Sequence, residues 1–132
     1  MKKLKKLLNK KPIIVFIYGP IAVGKFTVAN ILSKKLGYKF THNHALNDFV
    51  DEVFTRQTLE RDFMIEKFRY ELLENAAKAK INLVTTHCYA HDFVSRTGVS
   101  DPKYVETLEK KLTKLGAEFY SVHLKATNKE LL

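Results

Sequence analysis

At 132 residues the chain is the size of one domain, and a hydrophobic share of 45% is ordinary for a folded globular protein. No apolar run approaches the ~20 residues a membrane span needs, and Met1 to Lys11 lacks the apolar core and small-residue cleavage site of a secretory signal. The single cysteine, Cys88, excludes an internal disulfide and fits a reducing, cytoplasmic setting.

The net charge of +9 is uneven: Lys2, Lys3, Lys5, Lys6, Lys10 and Lys11 supply six of it and leave +3 for the rest. Residues 1–12 therefore read as a basic extension and 13–132 as the domain proper. Leu4, Leu7 and Leu8 stand at helical spacing among the lysines. A membrane-surface or nucleic-acid tail is one interpretation. One turn of leucines buries little area, so a solvated extension is favoured. The body carries no helix-turn-helix signature and no basic aromatic surface motif.

Ile13 to Tyr18 is a near-continuous apolar run, the pattern of a central parallel strand covered on both faces. Gly19, four residues, Gly24 and Lys25 follow, then a helical pattern from Thr27 to Leu36 with Val28, Ile31, Leu32 and Leu36 on one face and Gly37 as its stop. Strand, G-x-x-x-x-G-K and helix are together a phosphate-binding loop in the context it requires. Gly19 leaves the strand in a turn that side chains would obstruct. The backbone N–H groups from Ala22 through Val23, Gly24, Lys25 and Phe26 to Thr27 form an anion nest at a helix N-terminus, and Lys25 adds a charge for the β- and γ-phosphates. Phe26 stands where Ser or Thr usually meets Mg²⁺, so Thr27 is the candidate there, with Phe26 expected beneath the loop.

Tyr38 to Thr41 reads as a second strand ending in T-H-N-H, followed by helices over Ala45–Phe54 and Thr58–Lys80. On the longer helix Met64, Phe68, Leu72, Ala76 and Ala79 form the expected apolar stripe. Ile81 to Thr86 is a third strand running into T-T-H-C-Y-A-H-D. Asp101 and Pro102 read as N-cap and first helical residue, Val105, Leu108, Leu112 and Leu115 as a buried face, and Gly116 as the stop. Ala117 to Lys125 is a fourth strand, and Asn128 begins another helical pattern. Alternating strands and helices predict an α/β domain with a parallel sheet, whose ligands bind beyond the C-terminal strand ends.

The loop, the short second strand, the two helices and the later strands resemble the P-loop kinases of small molecules, such as adenylate, shikimate and chloramphenicol kinases. G-P-I-A-V-G-K-F-T-V followed by T-H-N-H is closer still to a group of AAA-type or shikimate-kinase-like ATP-binding proteins, and G-K-F-T resembles the adenylate-kinase form with Phe in place of Gly. The resemblance implies a three-layer P-loop NTPase with strand order 2-3-1-4, ATP and Mg²⁺ as cofactors, and a fifth strand and arginine-bearing lid that would lie beyond Leu132. On that pattern the chain is a fragment or a truncated product. Such kinases place an acid at the end of strand three, where this sequence has His87 and no acid nearer than Asp92. They also carry acids at the end of strand two, where His42 and His44 stand.

The histidines have two interpretations. One of them is a general base or acceptor-binding group, or both fix the loop, with Asn43 available as a helix cap. Asp92 is a second candidate for Mg²⁺ through water. Of the four arginines, Arg56 and Arg96 are expected to face the cleft and a migrating phosphoryl group, and Arg61 and Arg69 to lie on solvated helix surface. Zinc on His87, Cys88 and His91 is disfavoured, since no fourth ligand is placed; these residues read better as pocket lining.

The expected function is ATP-dependent phosphoryl transfer to a small-molecule acceptor. A nucleotide-binding module without turnover and a nucleic-acid-associated ATPase are the alternatives. Self-association through an exposed fourth strand is also expected.

Overall fold

The computed structural model describes residues 10–20, 23–54, 58–90 and 93–125. Its elements in chain order are β1 (Ile13–Gly19), α1 (Lys25–Leu36), β2 (Lys39–Thr41), α2 (Asn43–Asp51), α3 (Leu59–Lys78), β3 (Leu83–Cys88), α4 (Asp101–Lys114) and β4 (Glu118–His123). The four strands form one parallel sheet in the order β2-β3-β1-β4, as the resemblance implied.

β1 sits inside the sheet, and its alternation divides the core in two. Ile14 and Phe16 face α3 and α4, packing with Leu73, Ala77, Tyr104, Leu108 and Leu112. Val15 and Ile17 face α1, packing with Ala29 and Val84. Helices on both faces give the three layers.

Two helices bury a different face from the one their apolar spacing suggests. In α1 the buried residues are Lys25, Ala29 and Ser33, while Val28, Ile31 and Leu36 are exposed. Small Ala29 and Ser33 let the helix lie close on the sheet, which the bulkier stripe would prevent. In α3 the buried residues are Asp62, Ile65, Leu73 and Ala77 rather than the stripe through Leu72. Leu59, Phe63 and Leu72 are exposed.

Boundaries shift in ways that matter for chemistry. β3 runs to Cys88, so His87 belongs to the strand and is buried. α2 begins at Asn43 with His42 at its N-cap position. Ser100, not Asp101, caps α4, its side chain accepting from the Lys103 N–H; Asp101 is the first helical residue. Among the described residues no helix is long and apolar enough to cross a membrane.

Candidate functional site

The C-terminal ends of β1 and β3 lie side by side, with Gly19 opposite Cys88 in the register. Past Gly19 the chain turns into α1 through Gly24, whose φ of 91° belongs to the left-handed region that glycine tolerates. The helix starts with no side-chain cap and no acidic residue in its first turn. Its first intrahelical bond runs from the Val28 N–H to the Gly24 carbonyl at 3.1 Å. The N–H groups of Lys25, Phe26 and Thr27 therefore have no carbonyl partner inside the helix. An uncapped, acid-free helix N-terminus is suited to an anion.

Lys25 is only 8% exposed, and its ammonium folds back to donate to the Pro20 carbonyl at 2.7 Å. Burial lowers its pKa below the ordinary lysine value. A buried ammonium held by a single neutral carbonyl gains from an anion beside it. Thr27 is exposed at this helix start, as a metal or phosphate contact must be. Phe26 does not pack beneath the loop: it is 50% exposed and lies against Phe40 and His42. Ala22, Arg56, His91 and Asp92 lie outside the described residues.

The T-H-N-H turn is held by the hydroxyl of Thr86 in β3. Thr86 Oγ1 accepts from the Asn43 N–H at 3.1 Å and donates to Asn43 Oδ1 at 3.1 Å. His42 Nδ1 lies 2.8 Å from the same oxygen. With the hydroxyl's one proton spent on Asn43, His42 must donate, which places its proton on Nδ1 and leaves Nε2 an acceptor. Burial, then His44 and Lys25, lower the pKa of His42. His44 is exposed and packs edge-on against His42 at 4.7 Å.

Beside the loop, a cavity of about 370 Å³ opens between α2, α3, the end of β3 and the start of α4. Asn43 lines it; His42 and His44 do not. Arg61 and Arg69, expected on solvated surface, both line it. Their partners differ. Arg61 grips Asp51 through two bonds of 2.8 and 3.2 Å and reaches Asp62 at 3.4 Å. Arg96, expected to face the cleft, is half exposed and does not line the cavity, but it adds a second cation to Asp62 at 3.4 Å. Among the described residues Arg69 has only the Asn47 side-chain oxygen, at 2.7 Å. It keeps some accessible surface because it lines the cavity, yet desolvation lowers its pKa. A guanidinium with no carboxylate among the described residues is a place for an anionic or hydroxyl-rich ligand.

His87 is 5% exposed and stacks between Phe16 and Tyr104, at ring separations of 5.6 and 4.8 Å. Neither ring nitrogen has a hydrogen-bond partner among the described residues. Asp101 Oδ1 lies 3.6 Å from Nε2, an ion-pair distance too long for a hydrogen bond. Burial lowers the pKa of His87, and the nearby Asp101 only partly offsets it. The Tyr104 hydroxyl is also without a partner, and burial raises its pKa. No cluster of three or more His, Cys, Asp or Glu suited to a metal occurs among the described residues.

The cavity residues missed from sequence carried faint signals. Arg69 falls on the line Ile65, Arg69, Leu73, Ala77, spaced by four and otherwise apolar. Ser100 is as good a cap as Asp101, and choosing it frees the Asp101 carboxylate for the cavity.

No protein-family model and no curated protein matches the sequence. Solved structures do resemble it. A sugar kinase from Janibacter sp. HTCC2649 aligns at a TM-score of 0.60 and 17% identity, over 89% of this chain and 62% of its own. A putative kinase from Chloroflexus aurantiacus j-10-fl gives 0.65 and 13%, over 91% and 63%. A gluconokinase from Sinorhizobium meliloti 1021 gives 0.57 and 15%, over 92% and 62%. The chain thus spans a little under two thirds of the length of these three structures. Sheet order, loop and these likenesses agree: the chain has the fold of the P-loop small-molecule kinases.

Proposed function

We propose that the protein is an ATP-dependent phosphotransferase that moves the γ-phosphoryl group to a hydroxyl of a small molecule. The observation that carries this reading is adjacency. The loop with its uncapped helix and buried Lys25 shares a strand-pair end, Gly19 opposite Cys88, with a cavity lined by an arginine, Arg69, that has no carboxylate partner among the described residues. A donor site and an acceptor site that close together are what phosphoryl transfer needs, since its catalysis is mainly positioning and charge stabilisation.

In this reading Lys25 and the N–H groups from Lys25 to Thr27 hold the β- and γ-phosphates. Thr27 contacts Mg²⁺, which when bound neutralises phosphate charge. His42, tied to Thr86, borders the phosphate side. Arg69 holds an anionic or hydroxyl group of the acceptor, and Arg96 supplies charge from beside Asp62. The sugar kinase and gluconokinase among the structural neighbours make sugars and sugar acids the first acceptors to try.

The test is ADP formation from ATP and Mg²⁺ with a panel of such acceptors, D-gluconate included. Acceptor-dependent ADP formation is expected, together with loss of ATP binding in Lys25→Ala at an unchanged melting temperature. Unaltered ATP affinity in that variant, by titration calorimetry, would overturn the loop assignment.

A further inference from the structure

We propose that Asp101 is the general base of this site, taking the proton of the acceptor hydroxyl. The proposal rests on the phosphotransferase reading above. It supplies from the start of α4 a carboxylate that the end of β2, where His42 and His44 stand, does not carry.

Three carboxylates line the cavity, and their partners separate them. Asp62 is committed to Arg61 and Arg96. Glu66 accepts from the Ser95 and Thr97 hydroxyls, each at 2.7 Å. Both sit on α3. Asp101 is different. Its Oδ2 accepts from the Ala90 N–H at 2.8 Å, which fixes the carboxylate. Among the described residues its Oδ1 has only His87 Nε2 at 3.6 Å, beyond hydrogen-bond reach. That oxygen thus stands beside a ring nitrogen that is itself without a hydrogen-bond partner among the described residues.

The position is also the right one. Tyr89, next to Ala90, donates its N–H to the Gly19 carbonyl at 2.9 Å, so the segment holding Asp101 is tied to the first residue of the phosphate loop. A hydroxyl placed between Asp101 Oδ1 and His87 satisfies both, at the strand position paired with Tyr18, the residue before the loop. His87 is the positioning residue: stacked on two rings, it has little freedom to swing away.

The step balances. The acceptor oxygen forms its bond to the γ-phosphorus as the bond from that phosphorus to the β–γ bridging oxygen breaks. ADP leaves with that electron pair. The hydroxyl proton passes to Asp101 Oδ1 and then to water.

The test measures ADP formation with D-gluconate and the other acceptors, and with water alone, for wild type, Asp101→Asn and Asp101→Ala. Asn keeps an oxygen for the Ala90 N–H. Asp101→Asn is expected to lose ~10²–10⁴-fold in kcat, the usual worth of a general base, with ATP affinity and melting temperature retained. Asp101→Ala is expected to regain activity on addition of formate, which a structural role would not produce. An Asp101→Asn enzyme with wild-type kcat, or no rescue by formate, overturns this assignment alone. A wild-type protein that forms no ADP under any of these conditions overturns the phosphotransferase reading and this one with it.

Discussion

At the residue scale the site depends on a few atoms that have no substitute. Thr86 Oγ1 is one: 3% exposed, it satisfies the Asn43 backbone N–H, the Asn43 side-chain Oδ1 and His42 at once. Thr86→Val keeps the shape and removes the oxygen. A buried polar group left unpaired costs ~1–3 kcal/mol, so denaturant unfolding should show a loss of about that size. A variant as stable as wild type would mean the turn is held by other contacts. His87 gives a prediction about pH. Its folded pKa lies below the unfolded value, so at falling pH the unfolded chain takes up a proton that the folded one refuses. Stability from this group is full above the unfolded value of ~6.5 and is lost as pH falls below it. His42 and His123, also shifted downward, act in the same direction. Replacing His87 by Phe, which can keep the ring stack, should flatten the fall of melting temperature between about pH 7 and 5. An identical pH slope in the variant would show that His87 titrates normally.

At the element scale, β1 and the helix that starts at Lys25 were legible because their requirements are local: an apolar run, then glycines and a lysine at fixed spacing. The inward face of α3 was not. Its pattern was interpreted as if the core wanted only apolar residues, which favoured Met64, Phe68 and Leu72 and sent Arg61 and Arg69 outward. The helix instead turns Asp62, Glu66 and Arg69 toward the cavity and leaves Phe63 and Leu72 exposed. A binding site inverts the usual pattern where polar groups face the ligand, so failure of the periodicity coincides with the candidate site. β4 makes an element-scale prediction. It pairs with β1 on one side and stands at the sheet edge, with Tyr120 and Val122 exposed. The Glu118 and Leu124 N–H groups bond toward β1, so by alternation the Ser121 N–H points away from it. Ser121→Pro should therefore block edge-to-edge pairing without breaking the bonds to β1. Sedimentation should show concentration-dependent association in wild type and less in the variant. A wild-type chain that stays monomeric at all concentrations would dismiss the edge as an association surface.

At the scale of the whole molecule, alternating strands and helices were enough to anticipate an α/β domain with a parallel sheet, and the resemblance to P-loop kinases supplied the three layers and the strand order. The acid opposite His87 was not visible, because it arrives from an element that starts fourteen residues later in the chain. Only the fold makes them neighbours. Ligand linkage supplies the global test of the donor site. A ligand bound only by the folded state adds about 2.7 kcal/mol at ~100-fold excess over Kd. ATP with Mg²⁺ should raise the melting temperature of wild type by several degrees and leave Lys25→Ala unmoved. Equal shifts in both would place the nucleotide elsewhere.

The first glycine of the loop is packed from behind as well as opened in front. A Cβ built on Gly19 would stand 2.5 Å from the Leu124 carbonyl oxygen, and the Leu124 N–H is bonded to the Tyr18 carbonyl at 2.8 Å. The exit of β4 thus rests directly on the first glycine of the loop. The two segments behave as one mechanical part: tightening of the loop around a phosphate should stiffen the chain leaving β4. Slower hydrogen–deuterium exchange at the Leu124 amide on adding ATP would register that transmission, and exchange indifferent to nucleotide would show the joint to be slack.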